Sequence, residues 1–170
     1  MARTTLITGG ARSGKSVYGE QLAQRLGGND VLYVATAVAV DEEMAERIRQ
    51  HKDRRPASWS TEERYKDLGA LKESDSFLNA KAVLYDCIGF ALDNFLYEEI
   101  VDWDNIKEEE ILASEEKIRK EINDLTELCR SENKYLIMVT NEVGDSLVPQ
   151  TRIGRIFRDL LGRTNCFAAS

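Results

Sequence analysis

The stretch that most limits what this chain can become is TTLITGGARSGKSVYGEQLAQRL, residues 4–26. Leu6 and Ile7, with β-branched neighbours, read as a short buried strand, and Leu22, Ala23 and Leu26 read as the apolar stripe of a helix. Between them stands Gly9-x-x-x-x-Gly14-Lys15-Ser16. Strand, glycine-rich turn and helix in that order predict a phosphate-binding loop. Gly9 and Gly14 permit backbone angles and a close approach that a Cβ would block. Consecutive N–H groups of the cradle Gly9, Gly10, Ala11, Arg12, Ser13 and Gly14 can then converge on phosphate oxygens at a helix N-terminus. Lys15 supplies a mobile point charge for the β- and γ-phosphates, and Ser16 offers a hydroxyl to Mg²⁺.

Downstream, apolar runs and helical patterns alternate. Val31–Ala35, Ala82–Asp86 and Tyr135–Val139 read as buried strands. Asp41 reads as the N-cap of a helix whose stripe is Met44, Ala45 and Ile48 and which ends near His51. Trp59–Glu63 is expected to be a short strand or loop leading into a helix over about Arg64–Leu71. Ile111, Leu112, Ile118, Ile122, Leu125 and Leu128 mark one long helix, whose charges read as a solvated face. A last helix follows Pro149, with Arg152, Arg155, Arg158 and Arg163 read as its exposed surface. The alternation predicts an α/β fold, a three-layer domain with a mostly parallel sheet, spanning residues 1–170 as one unit. Ligands of such sheets gather at the carboxyl ends of the strands, where Thr36 and Asp86 stand. An acid at the position of Asp86 is a candidate Mg²⁺ ligand beside Ser16.

Charge and cysteine usage narrow the function further. A formal charge of −7 argues against non-specific nucleic-acid binding, which needs a basic face. A phosphate ligand must then be met by local charge, from Arg12, Lys15, Mg²⁺ and the cluster Lys52, Arg54 and Arg55. Cys87, Cys129 and Cys166 form neither a zinc pattern nor a disulfide framework, which makes a reducing cytoplasm the expected setting. No apolar stretch approaches the roughly 18 residues of a membrane span. His51 is the only histidine. Its place near a helix C-terminus favours the imidazolium, so a nucleophilic role requires that its basic neighbours compensate.

Pattern alone yields an Mg²⁺-dependent nucleotide-binding domain without naming the acceptor. Longer wording goes further: GGARSGKS at 9–16, DEEMAERI at 41–48, HKDRRPASW at 51–59, TNEVG at 140–144, and Phe157-Arg158-Asp159-x-x-Gly162-Arg163-x-Asn165. Together with the stretch from Asp86 through Asn94 and Leu96, these resemble the bifunctional adenosylcobinamide kinase / adenosylcobinamide-phosphate guanylyltransferase family of cobalamin synthesis. The resemblance implies phosphorylation of adenosylcobinamide by ATP or GTP, then transfer of GMP from GTP to adenosylcobinamide phosphate, with a histidine bearing GMP and a homotrimeric assembly. Carried to this chain, it makes His51 the nucleophile. It places Thr36, Ala37, Val38, Lys52, Asp53, Arg54, Arg55, Glu63 (in preference to Glu62) and Asp86 around the nucleotide. Asn141, Glu142 and Asn165 are its weaker candidates for corrinoid or catalytic contacts. Relatives continue into a further apolar strand where this chain reads Cys166-Phe167-Ala168-Ala169-Ser170, so the sheet is expected to lack a C-terminal strand. A kinase in which His51 is incidental, and a nucleotide-gated binding module, remain as alternatives.

Overall fold

In the computed structural model, residues 3–39, 41–145 and 147–170 are described, apart from the side chains of Glu43 and Arg47. The apolar runs become the centre of a sheet. Strands β1 (Thr4–Gly9), β2 (Val31–Ala35), β3 (Ser60–Glu63), β4 (Ala82–Asp86) and β5 (Tyr135–Asn141) pair in the order β1-β5-β4-β2-β3. Every pairing is parallel. Val31–Val34 and Ala82–Tyr85 are buried throughout, as strands covered on both faces must be. The polar β3 lies at the edge, paired only with β2, where no side chain needs to be apolar on both sides.

Alternation along the strands divides the core. Leu32, Val34, Val83, Tyr85, Leu136 and Met138 point to one face. There they meet helices α4 (Ile88–Glu99), α5 (Glu108–Ser131) and α6 (Arg152–Ala169). Ile7, Tyr33, Leu84, Ile137 and Val139 point to the other, toward α1 (Lys15–Gly27). Helix α2 (Glu42–Asp53) follows β2, and the short α3 (Asp75–Asn79) precedes β4. No helix among the described residues is long and apolar enough to cross a membrane.

Four details differ from the expectations. The face that α1 presses on the sheet is Gly19, Ala23 and Gly27, with Leu22 and Leu26 only partly buried beside it. A Cβ at Gly19 would sit 3.1 Å from Val139 and one at Gly27 would sit 2.7 Å from Val31, so small residues set how closely the helix approaches. The helix expected over Arg64–Leu71 is instead a 3₁₀ segment at Leu68–Glu73. Arg64 N–H still donates to Ala35 O at 2.8 Å, prolonging the β2–β3 pairing, and Asp67 turns the chain with φ 55°. The charges of α5 are not all solvated. Glu121 is buried and accepts the N–H of Leu68 at 2.8 Å, while the buried Glu115 accepts Arg119 at 2.6 Å and Arg163 at 2.7 Å. Arg163 is therefore a tie between α6 and α5 in addition to being helix surface.

Leu84, fully buried on the central strand against Gly19 of α1, tests this packing. Leu84→Ala is expected to lower unfolding free energy by about 2–5 kcal/mol, read as a shifted denaturant midpoint at unchanged slope.

Candidate active site

The loop between β1 and α1 has the shape its glycines require. Gly14 adopts φ 85° and Arg12 φ 57°, and the helix opens with Tyr18 N–H donating to Gly14 O at 2.9 Å. A Cβ at Gly9 would lie 2.6 Å from the Ser13 hydroxyl, so a side chain there would push Ser13 out of its place in the loop. Glu142 N–H donates to Gly9 O at 2.9 Å, fixing the loop base to the end of β5. Lys15 folds back over the loop, its ammonium donating to Gly10 O at 3.2 Å. A phosphate oxygen set in the cradle would compete for that donor with a full charge instead of a carbonyl dipole.

All five strands deliver residues to one cleft of about 640 Å³ at the carboxyl edge of the sheet. The loop after β1 lines it together with Ala35 and Ala37 of β2 and its extension, and Glu63 of β3. Asp86 and Cys87 at the end of β4, Phe90, and Asn141 of β5 complete that side. The opposite wall is α2, capped by Asp41 accepting Met44 N–H at 2.7 Å. Met44, Ile48 and His51 line the cleft at spacings of four and three residues, one face of a helix. The expected buried stripe of α2 is thus a cleft wall; Ala45 is exposed.

Beneath His51 lies a charged network. Tyr33 Oη donates to Asp86 Oδ2 at 2.7 Å, and the Arg55 guanidinium stacks 3.3 Å over the Tyr33 ring while donating to Thr61 Oγ1 at 3.3 Å. Arg54 Nη2 lies 3.2 Å from His51 Nδ1 and 3.7 Å from Glu20 Oε1. Burial pushes the His51 pKa below its ordinary value, and Arg54, Arg55 and Lys15 push the same way against the opposing pull of Asp86. Desolvation and these basic neighbours favour the neutral ring, against the pull of the helix C-terminus toward the imidazolium. Burial raises Glu20, with Asp86 adding to the rise and Arg54 and Arg55 opposing it. Burial also pushes the Cys87 thiol up to about 12, which leaves it a poor nucleophile despite its place in the cleft.

A half-buried imidazole and a glycine-rich phosphate loop thus line one cleft. The family model for cobinamide kinase / cobinamide phosphate guanyltransferase matches residues 5–170. The chain belongs to this family. It is similar to the bifunctional adenosylcobalamin biosynthesis protein CobU of Escherichia coli (strain K12), with 41% identity over 94% of this chain and 86% of that protein. CobU of Salmonella typhimurium is also 41% identical over the same shares. The bifunctional adenosylcobalamin biosynthesis protein CobP of Pseudomonas aeruginosa is 35% identical over 92% of this chain and 82% of its own length.

In this member of the cobinamide kinase / cobinamide phosphate guanyltransferase family the predicted residues divide into two groups. The cleft gathers Ala11, Arg12, Ser13, Gly14, Lys15, Ser16, Ala37, His51, Arg54, Arg55, Glu63 and Asp86. Gly9 and Gly10 form the loop base, their carbonyls turned to Glu142 and Lys15. Thr36 is buried, its hydroxyl donating to Cys87 O and accepting Cys87 N–H, both at 2.7 Å. It fixes the β4 turn and does not face the cleft. Val38, Lys52 and Asp53 are exposed outside the cleft wall. Of the two acids of β3, Glu63 lines the cleft, while Glu62 accepts from Ser74 and lies 3.6 Å from Arg64. Asn165 accepts from Thr140 at 2.7 Å and donates to Asn141 O at 3.0 Å, tying α6 to β5, and Glu142 closes a turn onto Gly144 and Asp145.

Sequence reasoning missed Glu20, Tyr33 and Phe90. Glu20 was legible as the residue one helical turn after Ser16, on the face of α1 that carries the loop. Ser16 and Asp86 bring one hydroxyl and one carboxylate to the cleft, and no cluster of three or more His, Cys, Asp or Glu that could hold a metal occurs among the described residues. That donor set fits Mg²⁺, which keeps most of its ligands as water and phosphate oxygens.

Proposed function

We propose that this cleft carries out two reactions in turn: phosphorylation of adenosylcobinamide by a nucleoside triphosphate, and transfer of GMP from GTP to the resulting phosphate by way of GMP carried on His51. The observation that carries the reading is a half-buried imidazole with a lowered pKa sharing one cleft with a phosphate loop. In the first reaction the substrate hydroxyl oxygen bonds to the γ-phosphorus, the β–γ bridging bond breaks, and the hydroxyl proton leaves to solvent. Lys15 and the loop N–H groups hold the charge that grows on the departing oxygens.

In the second reaction a lone pair of neutral His51 bonds to the α-phosphorus of GTP. The α–β bridging bond breaks, and pyrophosphate leaves with its electron pair. The phosphate oxygen of adenosylcobinamide phosphate then bonds to that phosphorus, and the P–N electron pair returns to the ring. Arg54, Arg55 and Lys15 surround the phosphates, and the α2 wall of Met44 and Ile48 excludes water that would hydrolyse the GMP–histidine bond. Ser16 and Asp86 would hold Mg²⁺, which supplies charge neutralisation for the triphosphate. The resemblance supports a homotrimer as the working assembly, which light scattering after size exclusion checks, and the unpaired cysteines support a reducing cytoplasm as its setting.

Incubation with GTP labelled at the α-phosphate is expected to leave label on the protein that is stable to alkali and lost in acid, the behaviour of a phosphoramidate. The labelled peptide is expected to contain His51. Label absent from the protein while adenosylcobinamide is still phosphorylated would return the molecule to a simple kinase.

A further inference from the structure

Arg54 does more to His51 than lie near a phosphate. A guanidinium has donors only, so at 3.2 Å from Arg54 Nη2 the Nδ1 atom of His51 must be the acceptor. In the neutral ring the proton then sits on Nε2. Both nitrogens are engaged, Nδ1 by the arginine and Nε2 by its own hydrogen, and no electron pair is left to offer phosphorus. The second anchor of the guanidinium is Glu20, whose Oε1 lies 3.7 Å from the same Nη2. That oxygen is shielded from solvent and lacks a hydrogen-bond partner, an arrangement that needs a compensating cation. Glu20 projects from α1 one turn after Ser16, and Arg54 is the C-cap of α2. The contact therefore links the helix that opens at the phosphate loop to the helix that carries the imidazole.

We propose that Glu20 is a positioning residue for His51, acting through Arg54: while the cleft is empty it holds the guanidinium on Nδ1 and masks the ring, and a seated triphosphate takes the guanidinium over and frees Nδ1 as the attacking atom. The inference rests on the reading of His51 as the GMP carrier. The exchange runs in the required direction because a guanidinium binds phosphate oxygens through paired, charge-assisted bonds. Its partners here are a single ring nitrogen and a carboxylate beyond hydrogen-bond distance. Burial of the ring, the largest cause of its lowered pKa, does not depend on Arg54, and Arg55 and Lys15 continue to favour the neutral form against the opposing pull of Asp86. The consequence is order: the imidazole becomes reactive only once phosphates are present.

Because His51 is the only histidine, its reactivity can be read without interference. Diethyl pyrocarbonate modification at pH 8, followed at 240 nm in nucleotide-free protein, compares rings that are neutral in every variant. Arg54→Ala is expected to react about fivefold faster than wild type, the factor set by losing one ordinary hydrogen bond, and Glu20→Gln to fall between them. Removing that cation also makes a neutral ring somewhat more basic, so Glu20→Gln, which keeps the Arg54 charge, separates the two effects: it accelerates only if the guanidinium leaves Nδ1. Imidazole ¹⁵N shifts of the wild type give a second reading that needs no variant: a bare, hydrogen-bonded Nδ1 and a protonated Nε2 without nucleotide, changing at Nδ1 when a non-hydrolysable GTP analogue binds. A proton found on Nδ1 in the nucleotide-free protein, or equal modification rates in all three proteins, overturns the latch. If wild-type His51 takes label from GTP yet the rates are equal, the latch alone fails. If the variants react faster but His51 never takes label, the masking stands and the GMP-carrier reading fails.

Discussion

His51→Ala is expected to lower guanylyl transfer by roughly a thousandfold or more while leaving phosphorylation of adenosylcobinamide within about threefold of wild type. The split follows from geometry. The imidazole stands on the α2 wall, whereas the groups we assign to the kinase step, Lys15, Ser16 and the loop amides, belong to the β1–α1 turn and do not depend on the ring for their positions. Removing it deletes the atom proposed to hold GMP but neither the cradle nor Asp86. The pH dependence carries the same signature. Burial and three basic neighbours lower the His51 pKa, so the acid limb of guanylyl transfer is expected below the ordinary histidine value of 6.5, and the kinase step is expected to lack that limb. The sign for stability is consistent. A depressed folded-state pKa means the unfolded chain binds more protons below 6.5, so this group makes the fold less stable as pH falls through that range. Assaying each half-reaction separately across pH checks the division; an equal loss of both activities in His51→Ala contradicts it.

How much of this was legible in the sequence depended on whether local chemistry or tertiary context decided each element. The phosphate loop was, because glycine spacing, lysine and serine are needed at those positions whatever surrounds them. So were β2, β4 and β5, whose apolar runs leave few places for them except a covered sheet. The edge strand β3 reads Ser-Thr-Glu-Glu and carries no hydrophobic signal; it is a strand because β2 offers it a free edge. Helix α1 hid its contact face for the opposite reason. Close approach selects Gly19, Ala23 and Gly27, which hydrophobic periodicity undervalues in favour of Leu22 and Leu26. In α2 the periodicity was present but its meaning was not: Met44 and Ile48 face a ligand cleft and not the core. The same limit applied to Thr36, whose place at a strand end suggested a ligand contact, while the structure turns its hydroxyl onto the Cys87 backbone. Glu115 and Glu121 went unread as buried acids because the groups that cover them from outside their own helix, Arg163 and the Leu68 amide, are 48 and 53 residues away.

Lys15→Ala is expected to impair both reactions, each by about a hundredfold to a thousandfold, the scale seen when one preorganised charge donor to a developing oxyanion is removed. Only a group shared by the two half-reactions can have that effect, and Lys15 is placed to be one. It is the first residue of α1, next to Gly14 in the left-handed conformation, and its ammonium already spans the loop to Gly10 O. A γ-phosphate leaving its bridging oxygen and a pyrophosphate leaving an α-phosphorus both place new charge over the same amides. Lys15→Arg is expected to restore little, because a planar fork does not replace a compact ammonium inside a loop this tight. The variant also separates site from nucleophile: His51 is intact in it, yet label from GTP should be lost in parallel with kinase turnover. Retained guanylyl transfer in Lys15→Ala, with only the kinase step lost, would mean that the two triphosphates bind in different places and that the single cleft serves one reaction.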